Sequence, residues 1–455
     1  MAPVRAGVTV GNARVPPPSR GVSIRATAPP ALLPRLVGLL LPLAAAACGP
    51  DRPAGVAVVT LPGSMLGAEG QVLERQLARF MGERPDIRVV QRSTPDAADQ
   101  RHQLYVQWLN ARMSQPDILQ LDAIWTPEFA AAGWILPLER FRPPSDSLFP
   151  ATVEANRWGG KLWAMPWFVD VGMLYWRTDL MPAAPASFAE LERVAARATR
   201  ERGLRYGLVW QGARYEGLVT VFAEYLGAFG GTILHRGRVT VASPSGVRAL
   251  EAMRRQLYDL RIVPPAALTW HEEESRFAFQ NGEAAFMRNW PYAFALMGDS
   301  AASRVAGRYA VAPMPAAAGG RPTASLGGAQ LAINANSEHP EAAWAVIQYL
   351  TRPEQMLERA RMVGQFPTRP ALYDDPRLAA ALAVPVAQAR AVIEAAEPRP
   401  VTPVYTQLSE ILQIDLHRAL TRQAEPAAAL AHAAEEMQRL LDRAGLGEGG
   451  MVAGR

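Results

Sequence analysis

The sequence predicts an α/β protein built from two domains or lobes, and two observations support this prediction. The chain has 455 residues, of which 49% are hydrophobic and 20% are charged. It therefore has ample apolar material but is too long for one compact core. Strand-like and helix-like segments alternate along it, an order typical of a sheet whose strands are joined by crossover helices.

The first part of the folded chain reads strand, helix, strand, helix, strand. Apolar and β-branched residues predict strands over 56–61, 87–90 and 117–124, and helical periodicity predicts helices over 70–81 and 98–113. This order favours parallel pairing of the three strands. After the third strand, Thr126 suits an N-cap, Pro127 the first helical position and Gly133 the residue after a short helix.

The same alternation continues with different content. Residues 162–176 are aromatic-rich and strand-like, with a break expected at Pro166. A capping box at Ser187 and Glu190 begins one helix, and a Ser–Pro pair at 243–244 begins another. The remaining predicted elements are strands over 284–289, 309–312 and 330–334 and a mostly helical region from 338, which closes with a helix over 426–444.

Residues 1–48 have the layout of a secretory signal. Arg35 precedes the apolar run LVGLLLPLAAAAC, which is too short and wrongly flanked to span a membrane. The run ends at Cys48, the only cysteine of the chain. The stretch AAAAC resembles a bacterial lipobox, in which the cysteine is lipidated and becomes the mature N-terminus, although Ala45 stands where leucine is usual. A plain signal peptide cut near Ala47 is the alternative. We expect the rest of the chain to be soluble and extracytoplasmic.

The formal net charge of +5 comes entirely from this leader. Residues 1–48 contain five arginines and no acidic residue, so 42 basic and 42 acidic side chains remain. A chain without basic excess lacks the field that a phosphate backbone requires. We therefore expect no nucleic-acid partner.

Three carboxylates fall at the carboxyl ends of strands, where open parallel sheets bind their ligands: one follows the first strand, one ends the third, and one lies in the segment PWFVD. They are Glu69, Asp122 and Asp170. A carboxylate accepts two hydrogen bonds at once and so grips vicinal hydroxyl groups with fixed geometry. A solvated or capping role remains the alternative for each of them taken alone.

Aromatic residues near these acids favour a sugar ligand. The chain has 11 tryptophans, and those near the acids are Trp125, Trp134, Trp163, Trp167, Trp176, Trp210 and Trp290. A flat aromatic face suits the C–H face of a sugar ring, whereas core packing is the commoner role of any single tryptophan. Trp290 and Tyr292 are the strongest candidates because the segment MRNWPYAF presents them at a strand end.

Two further features allow more than one interpretation. Arg369 and Arg399 lie in proline-rich segments, where each could donate into a cleft or form a surface ion pair. The HEEE run at 271–274 could suggest a metal site, but four polar residues at a helix start are better explained by the helix dipole. The sequence shows no Cys/His cluster, phosphate-binding glycine loop or nucleophile elbow. It predicts no cofactor, no metal and no catalytic residue.

Taken together, the chain resembles the bacterial extracellular solute-binding proteins (family 1) of ABC sugar importers, and among them the trehalose/maltose-binding type. The resemblance spans nearly all of residues 55–445. The segments that carry it are QLDAIWTPEFAAAGWILPL, GKLWAMPWFVDVGMLYWRTDL, WQGARYEGL, FQNGEAAFMRNWPYA, LGGAQLAIN, FPTRPALYDDP and RPVTPVY.

The resemblance implies a two-lobed periplasmic-binding-protein-like fold, in which each lobe is a sheet flanked by helices and the lobes close on the ligand like a hinge. It implies an N-terminal lobe of 51–168 and 328–366, a C-terminal lobe of 169–327 and 367–446, and a disordered tail over 447–455.

The resemblance also implies the ligand contacts and the partners. The implied contact residues are Glu69, Arg101, Asp122, Trp125, Phe168, Asp170, Tyr215, Trp290, Tyr292, Gly327, Gly328, Arg369 and Arg399. Phe168 stands where relatives carry tyrosine and so lacks one hydroxyl contact. The expected partners are a disaccharide, the ABC permease and, through lipidated Cys48, the membrane; the expected state is a monomer without enzymatic activity.

Two other functions compete with this one. A secreted glycoside hydrolase also needs paired carboxylates, but carboxylates among polar donors stay ionised and leave no evident general acid. A binding protein for another solute, such as glycerol phosphate, would need several cationic donors, whereas the candidates here are mainly acidic.

Overall fold

The computed structural model describes residues 55–63, 67–95 and 98–447. The expected signal peptide with Cys48, and the expected tail from residue 448 onward, lie outside these residues. Within the described ranges, no helix is both long enough and apolar enough to cross a bilayer.

The strands, in chain order, are β1 (Ala57–Gly63), β2 (Ile87–Ser93), β3 (Ile118–Asp122), β4 (Arg157–Trp158), β5 (Lys161–Leu162), β6 (Met165–Val171), β7 (Met173–Arg177), β8 (Tyr206–Val209), β9 (Leu234–His235), β10 (Arg238–Val239), β11 (Ala284–Asn289), β12 (Tyr309–Ala312), β13 (Ala324–Ile333), β14 (Phe366–Pro367) and β15 (Ala396–Glu397).

The α-helices are α1 (Gly67–Glu83), α2 (Ala98–Asn110), α3 (Thr126–Ala131), α4 (Pro150–Glu154), α5 (Phe188–Glu201), α6 (Glu216–Ala228), α7 (Pro244–Tyr258), α8 (Glu272–Gln280), α9 (Tyr292–Met297), α10 (Pro340–Leu350), α11 (Pro353–Val363), α12 (Pro376–Ala381), α13 (Val386–Glu394), α14 (Tyr405–Leu420) and α15 (Pro426–Arg443).

The first strands pair only partly as predicted. β1 and β2 form a parallel pair, but β3 pairs antiparallel with β13, with Asp122 opposite Ala329. The prediction of three parallel strands is therefore wrong for the third. The reason lies at Thr60 of β1, whose N–H donates to Asp117 Oδ2 (2.8 Å) and whose C=O accepts from the Asp117 N–H (3.1 Å). Asp117 thus occupies the backbone groups that a ladder with β3 would use.

A single glycine joins the two principal sheets. One sheet has the order β14-β6-β13-β15, with β3 also on β13, and the other has the order β12-β7-β11-β8. Only Gly172 separates β6 of the first sheet from β7 of the second. The break predicted at Pro166 is wrong: Pro166 lies inside β6 opposite Gln330, at a register irregularity that tolerates the missing N–H.

One buried core lies on each sheet, and a further core includes residues of both, such as Val171 of β6 and Met173 of β7. The first sheet packs on α1 and α10 through residues such as Leu77 and Ile347. The second sheet packs on α5, α6, α7, α14 and α15 through residues such as Phe222 and Leu416. The predicted lobe boundaries at 168/169 and 327/328 fall inside β6 and β13, where Val169 pairs with Gly328. That division of the chain stays a prediction.

The start of α3 differs from the sequence expectation. The helix begins at Thr126 with Trp125 as its N-cap residue, and the Thr126 hydroxyl donates to Asn156 Oδ1 (2.8 Å) instead of capping. Gly133 follows the helix with φ +69°, as expected for the residue after a C-cap. The short, well-bounded helix fixes the chain immediately after Asp122.

Candidate functional site

A cavity of about 640 Å³, called the cleft below, brings most of the predicted contact residues together. Its size suits a small organic ligand. The predicted residues that line it are Arg101, Asp122, Phe168, Asp170, Tyr215, Trp290, Tyr292, Gly327, Gly328 and Arg399. Residues of the first sheet and of the helices on the second sheet both contribute to this lining.

Two carboxylates enter the cleft from strands that both pair with β13. Asp122 is the last residue of β3, and Asp170 lies near the end of β6 opposite Gly327. Loss of hydration, together with the negative charges of Glu69 and Asp122, raises the pKa of Asp170 to about 7. Near pH 7 Asp170 is therefore partly protonated, unlike the ionised state expected of carboxylates among polar donors.

Glycines let β13 pass close beside β6 and beside the aromatic wall, which the Trp290 and Tyr292 rings form. Gly328 has φ +112°, and a Cβ there would lie 2.2 Å from the Phe168 carbonyl oxygen. A Cβ on Gly327 would lie 3.3 Å from the Trp290 ring. The absent side chains leave the backbone of β13 exposed to a ligand.

Hydrogen bonds fix Trp290 and Tyr292 at the end of β11. The Tyr175 hydroxyl donates to the Trp290 carbonyl (2.7 Å), and Trp290 Nε1 donates to Glu272 Oε1 (3.3 Å). The Tyr292 hydroxyl donates to Glu273 Oε1 (2.6 Å). Both rings therefore have defined positions and present flat apolar surface to the cleft.

Arg399 links two acids that line the cleft. Its Nη2 donates to Asp122 Oδ1 (3.0 Å) and its Nη1 to Glu216 Oε1 (2.8 Å). Burial alone would lower the pKa of Arg399, but the charges of Asp122 and Glu216 outweigh it and raise the pKa above its usual value. Glu216 also accepts from the hydroxyls of Tyr405 (2.7 Å) and Ser409. The Arg399 charge is thus compensated within the protein.

Tyr215 and Arg101 line the cleft from helices. Tyr215 is the N-cap residue of α6, and its ring lies over Gly217, where a Cβ would be 2.1 Å from the ring. Arg101, on α2, donates to the Pro95 carbonyl (3.1 Å), and its guanidinium lies 5.5 Å from the Trp125 ring centre.

Three predicted contacts lie outside the cleft lining. Trp125 is only 3% exposed and packs against Phe129 and His102, so its place is behind Arg101 in the core. Glu69 accepts from Gln365 Nε2 (3.1 Å). Arg369 donates to the Thr351 carbonyl (3.2 Å) and to Ser147 Oγ (2.6 Å), which ties segments of the scaffold together. Each of these side chains thus has a partner within the fold, and its role in ligand binding stays a prediction.

The sequence reasoning missed several cleft residues: Gln120, Leu121, Glu216, Gly217, Thr220, His271, Glu272 and Ala329. A signal existed for Gln120, because residues two apart on a strand share a face and Asp122 was already a candidate. Glu216 directly follows Tyr215. The explanation of the HEEE run by the helix dipole overlooked that its first residues, His271 and Glu272, reach the cleft. No group of His, Cys, Asp and Glu within the described ranges is arranged to hold a metal ion.

The arrangement suits recognition of a neutral polyhydroxylated molecule. Asp122, Asp170, Glu216 and Glu272 supply acceptors, Arg101 and Arg399 supply donors, and the Trp290 and Tyr292 rings supply apolar surface. Carboxylates can accept hydroxyl hydrogen bonds while a ring face contacts C–H groups.

Comparison with known proteins agrees with this site. The family model described as bacterial extracellular solute-binding protein matches residues 66–357. A probable ABC transporter-binding protein of Deinococcus radiodurans is 35% identical over 373 residues, which cover 78% of this chain and 87% of the relative.

Solved structures of similar proteins share the two-lobed fold. The maltose-bound MalE3 of T. maritima is 40% identical, with a TM-score of 0.77, and the match covers 85% of this chain and all of that one (100%). A solute-binding protein of Thermotoga lettingae bound with α-D-tagatose is 24% identical, with a TM-score of 0.73 over 85% of this chain and 100% of that one, and shows the likeness of fold alone. The predicted fold class is confirmed. The chain belongs to the bacterial extracellular solute-binding proteins, which bind solutes outside the cytoplasm and are not enzymes.

Proposed function

We propose that this protein captures a disaccharide of the trehalose or maltose type in the cleft and delivers it to the permease of an ABC importer. The observation that carries the proposal is the cleft itself, in which Trp290 and Tyr292 share one cavity with Asp122 and Asp170. Sugar recognition combines a stacking face with acceptors for hydroxyl groups, and these four residues supply both.

The relatives support the ligand class and the partner. The structure that is 40% identical holds maltose, and the relative that is 35% identical is described as an ABC transporter-binding protein. A phosphorylated solute such as glycerol phosphate is less well matched, because Asp122 and Glu216 already pair with Arg399.

Membrane attachment belongs to the same proposal. A lipid on Cys48 would tether the protein beside its permease. Labelling of cells with radioactive palmitate should mark the protein, and the variant Cys48→Ser should lose the label; a labelled variant would contradict attachment at this cysteine.

Calorimetric titration with maltose, trehalose, sucrose and cellobiose tests the ligand class. We expect at least one α-linked disaccharide to bind with a Kd well below 1 mM. A Kd of about 1 mM corresponds to a binding free energy of only about 4 kcal/mol. Binding no tighter than this for every sugar would contradict the proposal.

A substitution then tests the site. Asp122→Asn should weaken binding by roughly 1.5–3 kcal/mol because it removes charged hydrogen bonds. Asp86→Asn is a matched control, since Asp86 is an exposed carboxylate that pairs with Arg84 outside the cleft. Equal affinities of the two variants would return Asp122 to a purely structural role.

A further inference from the structure

A buried ion pair lies behind the cleft without lining it. Arg288 of β11 is 0% exposed and Glu224 of α6 is 1% exposed. Arg288 Nε donates to Glu224 Oε1 (3.1 Å) and Oε2 (3.0 Å), and Arg288 Nη2 donates to Glu224 Oε1 (2.6 Å). Removing two charges from water is costly, and an apolar pair of similar volume often stabilises a fold equally well. The position of the pair therefore calls for an explanation beyond stability.

The pair lies against two of the segments that connect the two sheets. At Gly172, between β6 and β7, an added Cβ would lie 1.8 Å from Glu224 Oε1 and 2.3 Å from Arg288 Nη2. At Ser325, near the start of β13, the backbone N–H donates to Glu224 Oε1 (3.3 Å). The two connecting segments thus contact the same two side chains.

The pair also supports the aromatic wall of the cleft. The Arg288 guanidinium carbon lies 4.1 Å from the centre of the Trp290 ring, which places the planar cation against that ring. Such a contact is favourable when it is desolvated. Gln211 fixes the arginine further, since its Oε1 accepts from Arg288 Nη1 (3.2 Å) and its Nε2 donates to the Arg288 carbonyl (2.9 Å).

We propose that Arg288 and Glu224 are positioning residues for solute binding: they fix the Trp290 ring in its stacking orientation and join it to two of the segments that connect the sheets. Neither residue touches the solute, and both act through Trp290. The effect on affinity rests on the proposed sugar-binding function, whereas the effect on the ring does not.

The ligand-free protein provides the first test. The double variant Arg288→Met/Glu224→Leu removes both charges and leaves no unpaired one. In protein labelled with 5-fluorotryptophan, the ¹⁹F resonance of Trp290, assigned by its loss in Trp290→Leu, should shift and broaden in the double variant. The resonance of Trp344, on α10 in the core of the first sheet, serves as an internal reference. An unchanged Trp290 resonance would overturn the proposal.

A matched control separates positioning from general loss of a pair. Glu192 and Arg255 form another ion pair on helices of the same sheet (2.5 Å), away from the cleft. The variant Arg255→Met/Glu192→Leu should leave the Trp290 resonance and maltose affinity unchanged. If the Arg288/Glu224 double variant does not fold, Arg288→Lys replaces it, because lysine keeps the charge but loses the planar contact with the ring.

Titration with maltose provides the second test. We expect the Arg288/Glu224 double variant to bind maltose at least about tenfold more weakly, with a cooperative thermal transition retained. In a Trp290→Leu background the same two substitutions should change the Kd less than twofold, because their effect passes through the ring. Equal losses in both backgrounds would overturn the proposal. If no disaccharide binds the unmodified protein, the proposed function fails, and the fluorine spectrum alone decides the positioning role.

Discussion

Asp170 gives the cleft a titrating group near neutral pH. Burial, with Glu69 and Asp122 close by, raises its pKa to about 7. The ionised carboxylate forms the stronger hydrogen bonds to hydroxyl donors. We therefore expect maltose affinity to increase as pH rises from 5.5 to 8.5, and Asp170→Asn to lose this dependence. Calorimetric titrations across that range measure both, and parallel profiles for the two proteins would contradict the assignment.

Ionisation of Asp170 should lower the stability of the fold, although it raises the affinity for maltose. The folded-state pKa lies above the reference value of 3.8, so the folded protein holds the proton more tightly between pH 3.8 and about 7. The stability that this group contributes is therefore lost as pH rises through that window. The Tm of the Asp170→Asn variant should exceed that of the unmodified protein, and the difference should be larger at pH 8 than at pH 5. Asp146→Asn, at an exposed position, should show no such difference.

At the residue level, the sequence predicts the cleft as far as local signals allow. Asp122 ends β3, Asp170 lies near the end of β6 and Trp290 follows β11, so their place at the ends of strands could be inferred. Arg369 and Trp125 are equally suggestive residue types, yet Arg369 donates to Ser147, which is distant in sequence, and the Trp125 ring is buried against Phe129 and His102. Which side chain faces a cavity depends on such contacts, and no local pattern reports them.

At the level of elements, β13 depends on one backbone position. Gly328 adopts φ +112°, and a Cβ would meet the Phe168 carbonyl oxygen of β6 at 2.2 Å. Gly328→Ala should lower the free energy of unfolding by about 2 kcal/mol or more, because backbone strain of 1–3 kcal/mol adds to a collision. Urea denaturation measures the change.

Gly133→Ala separates strain from collision. Gly133 also has a positive φ of +69°, but no heavy atom lies within 4 Å of an added Cβ. We expect a smaller loss there, of about 1 kcal/mol. Equal losses at the two sites would show that collision with β6 contributes nothing.

Element positions follow from periodicity, but pairing does not. The strand over 284–289 and the helix beginning after Ser187 are placed as predicted. The predicted pairing of β3 was wrong because its partner β13 lies some two hundred residues farther along the chain, and no local signal in the sequence joins the two strands. Pro166 was read as a break because a proline normally interrupts a ladder, whereas the register irregularity beside Gln330 accommodates it.

At the level of the whole molecule, Arg399 joins groups from the two sheets. Asp122 belongs to β3, and Glu216 begins the helix α6 that packs on the second sheet. Arg399→Met leaves two carboxylates facing each other without a cation, and we expect the lobes to separate. Small-angle X-ray scattering should show a larger radius of gyration for the ligand-free variant than for the unmodified protein.

A buried arginine whose ion-pair partner belongs to the same sheet region is the control for this measurement. Arg177 pairs with Asp179, two residues away (2.5 Å), so Arg177→Met should not change the radius of gyration. Identical scattering from all three proteins would mean that the link through Arg399 does not hold the lobes together.

The single residue between β6 and β7 limits how this protein can be divided. The chain leaves one sheet and enters the next within one glycine. A cut at that point would therefore place the new chain ends directly at β6 and β7, with no linker to either strand. The N-terminal fragment would lose β13, β14 and β15, and the C-terminal fragment would carry these strands without β3 and β6. We therefore expect the halves to fail as independent modules in fusion or shuffling experiments, whereas new termini placed in surface loops should be tolerated.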